Sequence, residues 1–265
     1  MPRYSANLGF LWSALPLPQA SRAAKAAGFD AVECHWPYET PADEVKAALE
    51  ETGLTMLGLN TRRGDVSAGD SGLAALPGRE AEARAAISEA STYAAVIGCG
   101  AVHVMAGKAP VTEASEAAFR ANLAYAAELA APHGITILIE PLNRHDAPGY
   151  FLSNADQALA IIAAVGAPNL KLMFDCYHIQ IQQGDVLRRL EAALPHVGHI
   201  QIAAVPDRGE PDRGELDYRW LLPRIDALGW STPIGAEYRP RGGSVEEGLG
   251  WLGWPHGDCP QPHTG

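Results

Sequence analysis

What most restricts this chain is an alternation that runs its whole length: short runs of β-branched and other apolar residues trade places with Ala-rich, helix-compatible stretches. The pattern predicts strands over 3–7, 31–34, 54–59, 102–105, 135–140, 170–175, 197–202 and 233–237. Between and after them it predicts helices over 18–27, 41–51, 79–97, 113–131, 154–165, 186–194, 218–228 and 245–252, with Thr40 and Gly53 as caps of the second. Parallel strands buried on both faces read as continuous apolar runs, and a helix between consecutive strands makes a right-handed crossover. Eight such units in roughly 250 residues fit an α/β fold in which the sheet closes into a single (β/α)8 TIM barrel. An open doubly wound sheet would carry a Gly-rich phosphate turn after an early strand, and the sequence has none. One domain over 1–252 is expected. Residues 253–265, rich in Gly, Pro and His and without periodicity, read as a disordered tail.

Composition excludes some classes of partner. The formal net charge of −11 and the lack of a Lys/Arg cluster argue against nucleic acid and anionic membrane surfaces. No apolar run approaches the roughly 18 residues of a membrane span, and the first residues lack the pattern of a signal peptide, so a cytoplasmic location is expected. Cys34, Cys99, Cys176 and Cys259 have neither C-x-x-C spacing nor disulfide density, which predicts reduced thiols. The sequence leaves self-association into a homo-oligomer open.

Four strands end on an oxygen-bearing side chain. In Ile135-Thr-Ile-Leu-Ile-Glu140-Pro141 the apolar run stops at a carboxylate, and proline then ends the ladder. The run from Leu170 ends in Asp175, that from Val197 carries Gln201, and that from Pro233 ends in Glu237. A closed barrel gathers its C-terminal strand ends at one mouth, where active sites of this architecture lie. Alternation then turns Leu138 and Thr136 inward with Glu140, and Gly235 with Glu237, leaving room for a ligand.

Three carboxylates in one mouth repel unless something positive sits among them, and a divalent cation is the economical answer. With Glu140, Asp175, Glu237 and the amide oxygen of Gln201 as ligands the site is hard and oxygen-lined, which favours Mg2+ or Mn2+ over Zn2+. Such a site suits proton abstraction next to a carbonyl, with Glu140 and Glu237 exchanging protons with adjacent carbons. His178, three residues beyond Asp175, either bonds a substrate oxygen or is satisfied by loop backbone. Arg208 either clamps a substrate carboxylate or pairs with Glu210. Lys108 could add positive charge, and His35, Trp36 and Tyr38 could wall the pocket. His199 reads as an interior residue below Gln201 and not a ligand.

At these residues the sequence resembles the hydroxypyruvate isomerase family of the xylose isomerase-like barrels, from about Arg3 to Leu252. The matching pieces are Ser5-Ala-Asn-Leu8, Asn60 with Gly64-Asp65, Leu76-Pro-Gly-Arg79, the runs 103–107, 139–143 and 198–203, Arg208-Gly-Glu-Pro211, and Glu237-Tyr238 with Pro240-Arg-Gly242. The likeness extends to 2-oxo-tetronate isomerases at Val102-His-Val-Met-Ala-Gly107 and Val205-Pro-Asp-Arg208. Ketose 3-epimerases are more distant, having His where this chain has Gln201. Arg62-Arg63 departs from the smaller residues usual between Asn60 and Gly64.

The resemblance implies a metal-dependent aldose-ketose isomerase of short hydroxy-oxo acids. It would interconvert hydroxypyruvate and 2-hydroxy-3-oxopropanoate (tartronate semialdehyde) on Glu140, Asp175, Gln201 and Glu237, with the two glutamates as the acid/base pair. The alternatives are the same chemistry on a 2-oxo-tetronate, epimerisation of a free ketose, and a noncatalytic sugar-acid binding protein. Two bases speak against the last, since binding alone needs neither.

Overall fold

In the computed structural model of the chain, residues 3–254 are described. The strands are β1 (Tyr4–Asn7), β2 (Ala31–Glu33), β3 (Thr55–Met56), β4 (Leu59–Asn60), β5 (Ala101–His103), β6 (Thr136–Ile139), β7 (Leu170–Asp175), β8 (Val197–Ile202) and β9 (Ile234–Ala236). The helices are α1 (Leu17–Ala26), α2 (Ala42–Thr52), α3 (Glu80–Ile97), α4 (Glu113–Ala130), α5 (Ala155–Val165), α6 (Cys176–Gln182), α7 (Val186–Ala193) and α8 (Tyr218–Ala227). The sheet order is β3-β2-β1-β9-β8-β7-β6-β5-β4, and the parallel pairing of β1 with β9 brings the ends of the chain together into a barrel.

The third expected strand is broken into β3 and β4 around Leu57 and Gly58. Backbone bonding nevertheless continues to both sides of the break. Leu57 N–H donates to Val32 O (2.8 Å) and Gly58 O accepts from Cys34 N–H (3.0 Å), while Met56 O accepts from Gly100 N–H (3.0 Å). The seam therefore leaves no free sheet edge at this point.

Local chemistry sets the helix ends. Asn154 caps α5 by accepting from Gln157 N–H, and Thr112 with Ser115 forms a reciprocal capping box on α4. Gly53 closes α2 at φ +66°, as expected, but its N-cap is Pro41, not Thr40. The first helical bonds are accepted by Pro41 O, from Glu44 N–H (3.1 Å) and Val45 N–H (3.3 Å), which sets the boundary one residue beyond Thr40.

Helix α6 was not expected from the sequence. Cys-Tyr-His-Ile-Gln-Ile-Gln is a poor helix former, and the helix starts because Asp175 accepts from Tyr177 N–H. The last expected helix is a 3-10 segment, Glu246–Gly253, so Gly253 belongs to it and not to the tail. Residues 255–265, with His256, Cys259 and His263, lie outside the described residues.

One large apolar core fills the space between sheet and helices, and a separate small cluster is made by Ala101, Leu138 and Met173. Each member stands two residues before His103, Glu140 or Asp175, so strand alternation stacks these three polar side chains over an apolar floor. Among the described residues no helix is long and apolar enough to cross a membrane. Cys34, Cys99 and Cys176 are free and buried, and burial pushes all three thiols up, Cys99 to about 12, which makes them inert.

Candidate active site and metal centre

The sheet register brings the expected residues to the same end of neighbouring strands. Asp175 pairs with Gln201 across β7 and β8, and Gln201 pairs with Gly235 across β8 and β9, two residues before Glu237. Glu140 directly follows β6. All four side chains are buried, Glu140 and Glu237 at 6% exposure, Gln201 at 3% and Asp175 at 1%.

Their hydrogen bonding is incomplete in one pattern. Asp175 Oδ1 is used as the α6 cap, at 2.8 Å from Tyr177 N, while Oδ2 has no hydrogen-bond partner. Gln201 Nε2 donates to Glu33 Oε1 (2.7 Å), while its Oε1 has none, and Glu140 Oε1 has none either. Buried oxygens are ordinarily satisfied, and leaving one orphaned costs about 1–3 kcal/mol. Three on adjacent strand ends, all acceptors, make a donor set suited to a hard cation.

Glu237 is fully occupied. Its Oε1 accepts from Asn7 Nδ2 (3.1 Å) and lies 2.9 Å from His35 Nε2, and its Oε2 accepts from Arg208 Nη2 (2.6 Å). The same Arg208 nitrogen lies 3.8 Å from Asp175 Oδ2, so the guanidinium supplies the positive charge among the carboxylates.

These surroundings push the two glutamates apart. Burial, and then the charges of Glu237 and Asp175, raise Glu140 well above the usual carboxylate range. Burial would raise Glu237 too, but Arg208 and His35 hold it low. Asp175 is pushed by burial to about 7, against the pull of Arg208.

His178 stands close enough to be mistaken for a ligand, since it, Glu140 and Asp175 offer atoms within 4.8 Å of one another. Its Nδ1 faces two donors, however, Asn143 N–H at 3.0 Å and the Asn143 side-chain amide at 2.8 Å. A backbone N–H can only donate, so Nδ1 carries the lone pair and Nε2 carries the proton. Burial, with Arg208 adding to it, lowers His178 to about 3, which keeps it neutral. Nε2–H points between Asp175 Oδ2 (3.7 Å) and Glu140 Oε1 (3.8 Å), too far to bond either. His178 thus offers a hydrogen to the mouth, not a lone pair.

Arg208 is held by its own backbone, at φ +55°, a left-handed conformation that costs a non-Gly residue about 1–2 kcal/mol. Its guanidinium lies between the rings of Phe10 (5.1 Å) and Tyr177 (5.0 Å). Its partner is Glu237, not Glu210; Glu210 is tied instead to Arg241 (3.2 Å), which also grips Asp207 with two nitrogens and fixes the loop that carries Arg208. Lys108 is exposed and bridges Tyr150 through its backbone, and no ion pair joins it to Glu140 or Asp175 among the described residues. Trp36 stands beside His35 (5.0 Å) under the guanidinium of Arg63 (3.8 Å), while Tyr38 lies under Arg62 (4.7 Å). His199 is buried and paired with Glu33 at 2.5 Å.

Sequence reasoning missed Glu33, Asn7 and His103. Glu33 ends β2 and is 3% exposed, so the strand-end rule that singled out Glu140 applies to it equally. Asn7 bonds Glu33 and Glu237 at once. His103, lowered to about 4 by burial, lies 3.6 Å from Glu140 with its Nε2 unpartnered. The run 103–107 carries part of the family resemblance, but nothing in it gives His103 a role apart from packing.

Residues 21–253 match the family described as Xylose isomerase-like TIM barrel. The chain is 51% identical to a 2-oxo-tetronate isomerase of Cupriavidus necator, an alignment covering 95% of this chain and 98% of that protein. It is 36% identical to the hydroxypyruvate isomerase of Escherichia coli K12, covering 95% and 98%. Among solved structures it is similar to one described as an AP endonuclease, family 2, from Brucella melitensis. The TM-score is 0.91 at 40% identity, covering 95% of this chain and 98% of the other.

Proposed function

We propose that this chain, which belongs to the xylose isomerase-like TIM barrel family, is an aldose-ketose isomerase of short hydroxy-oxo acids that works with a divalent cation, Mg2+ or Mn2+. The observation that carries the reading is the set of three unpartnered buried oxygens, on Glu140, Asp175 and Gln201, beside a fourth carboxylate, Glu237. The isomerase activity agrees with the names of relatives 51% and 36% identical to it.

Glu140, Asp175, Gln201 and Glu237 would hold the cation, which when bound polarises the substrate's carbonyl and hydroxyl oxygens and offsets the negative charge that develops on them. The rest falls to the chain. For hydroxypyruvate, one glutamate removes a proton from the hydroxymethyl carbon and the other delivers one to the former carbonyl carbon. The hydroxyl proton moves to the other oxygen, so no atom is gained or lost. Environments that raise Glu140 and lower Glu237 suit this division between acid and base. His178 Nε2–H donates to a substrate oxygen, and Arg208, once turned from Glu237, pairs with the substrate carboxylate.

The 2-oxo-tetronate substrate is the second reading, favoured by the higher identity to a protein of that name. A nuclease activity, as in the description of the structural relative, finds no support in a chain of net charge −11 with an acidic mouth. Turnover of both oxo acids is to be measured with Mg2+, after chelation and after its return. Activity that chelation abolishes and Mg2+ restores is expected, with the better kcat/KM naming the substrate; full activity in a rigorously metal-free preparation rejects the reading.

A further inference from the structure

Below the mouth, Glu33 is a carboxylate on which four donors converge, and none of the steps proposed above uses it. Its Oε1 accepts from Asn7 Nδ2 (2.9 Å) and Gln201 Nε2 (2.7 Å), and its Oε2 from Ser5 Oγ (3.1 Å) and His199 Nε2 (2.5 Å). The backbone opposite makes room for it. A Cβ at Gly235 would stand 2.7 Å from Glu33 Oε2 and 2.8 Å from Gln201 Cγ, so the lack of a side chain at Gly235 makes room for this carboxylate.

A primary amide has one donating end and one accepting end, and the two are nearly the same shape. Nothing in the covalent structure of glutamine decides which end faces a cation. Here the choice is imposed from below. Turned over, Gln201 would set its oxygen against the Glu33 oxygen and present two N–H groups to the mouth. As it stands, Nε2 is consumed by Glu33 and Oε1 is left buried without a partner.

We propose that Glu33 is a positioning residue that fixes the orientation of the Gln201 amide, so that Oε1 and not Nε2 is presented to the cation. This rests on the metal site proposed above. It also accounts for the cost of burying a carboxylate beneath three others: an acceptor without hydrogens is the one group that dictates the amide's sense. Outer groups that orient a ligand typically contribute 10–100-fold to metal affinity.

The test is a calorimetric titration of Mn2+ into four forms of the protein: unaltered, Glu33→Leu, which has no acceptor for Gln201 Nε2, Gln201→Ala and the double variant. Glu33→Leu should weaken Mn2+ about 10–100-fold. In the Gln201→Ala background the same change should weaken it by no more than about twofold, because the residue through which Glu33 acts is gone. Equal losses in both backgrounds would mean that Glu33 acts by charge or through the fold, and would overturn the proposal, as would unchanged affinity in Glu33→Leu alone. If the unaltered protein fails to bind Mn2+, the metal site falls and this proposal with it; if it binds and Glu33→Leu binds equally well, only the role of Glu33 falls. Should Glu33→Leu not fold, a crystal of the unaltered protein grown with Mn2+ decides. An ion on Gln201 whose other amide atom rests on Glu33 supports the proposal, and a Gln201 turned away from Glu33 overturns it.

Discussion

The backbone N–H of Asn143 donates to His178 Nδ1 over 3.0 Å, and this bond decides which face the imidazole shows to the carboxylates. With Nδ1 accepting, Nε2 must donate, so distance to Glu140 and Asp175 does not make His178 a ligand. His178→Ala should therefore leave Mn2+ affinity within about twofold while lowering kcat/KM by about tenfold, the worth of one neutral hydrogen bond to substrate at the upper end of 0.5–1.5 kcal/mol. Calorimetry alongside steady-state kinetics checks both halves. A loss of Mn2+ affinity as large as that in Asp175→Asn would make the imidazole a ligand after all.

Asp175 makes the stability of the metal-free protein depend on pH in a direction opposite to that of most carboxylates. Burial raises it from an ordinary 3.8 to about 7, against Arg208. Between those values the unfolded chain has released a proton that the folded chain keeps, so the contribution of this group to stability falls as pH rises. His103 and His178, lowered by burial, act with the other sign over part of the same range, so the comparison must be between variants. The stability of Asp175→Asn relative to the unaltered metal-free protein should grow as pH climbs from about 4 to about 7. Saturating Mn2+ should abolish that growth. A relative stability that declines over this range in urea titrations would show Asp175 to be ionised in the free protein.

Arg208 has one guanidinium and two claims on it, Glu237 in the structure described here and the substrate carboxylate in the proposed reaction. Arg208→Ala should raise KM for an oxo acid by a factor corresponding to about 1.5–3 kcal/mol, and by much less for a neutral sugar of similar size. Equal losses for the two would mean that Arg208 serves only to neutralise Glu237.

The proton path separates a two-glutamate isomerase from one that shifts a hydride. Glu140→Gln and Glu237→Gln should each lower turnover by at least about 10²–10⁴-fold, since an amide neither takes nor gives the proton. In heavy water the unaltered enzyme should place deuterium at the acceptor carbon, and one of the two variants should still exchange deuterium into unreacted substrate, which identifies the base for that direction. Intact transfer of the substrate hydrogen together with activity in both variants would refute the mechanism.

The barrel was legible in the sequence because its determinants are local: each apolar run, cap and helix is written in a few consecutive residues, and their alternation admits few closed arrangements. β7 and β8 run over the residues expected, since continuous apolar stretches bounded by a polar side chain leave little freedom. The same rule located Glu140, Asp175, Gln201 and Glu237, because a strand end is a local fact. Where local signals were weak, one local cap could still suffice, as in α6, a poor helix sequence started by Asp175, but the break at Gly58 was decided by tertiary contacts. The orientation of the site was decided there as well. Glu33 on β2 reaches Gln201 on β8 across 168 residues, Asn7 reaches Glu237 across 230, and Asn143, after β6, sets the tautomer of His178 on α6. Which atom of an amide or imidazole faces a ligand depends on the partner of its other atom, and that partner is brought near only when the barrel closes.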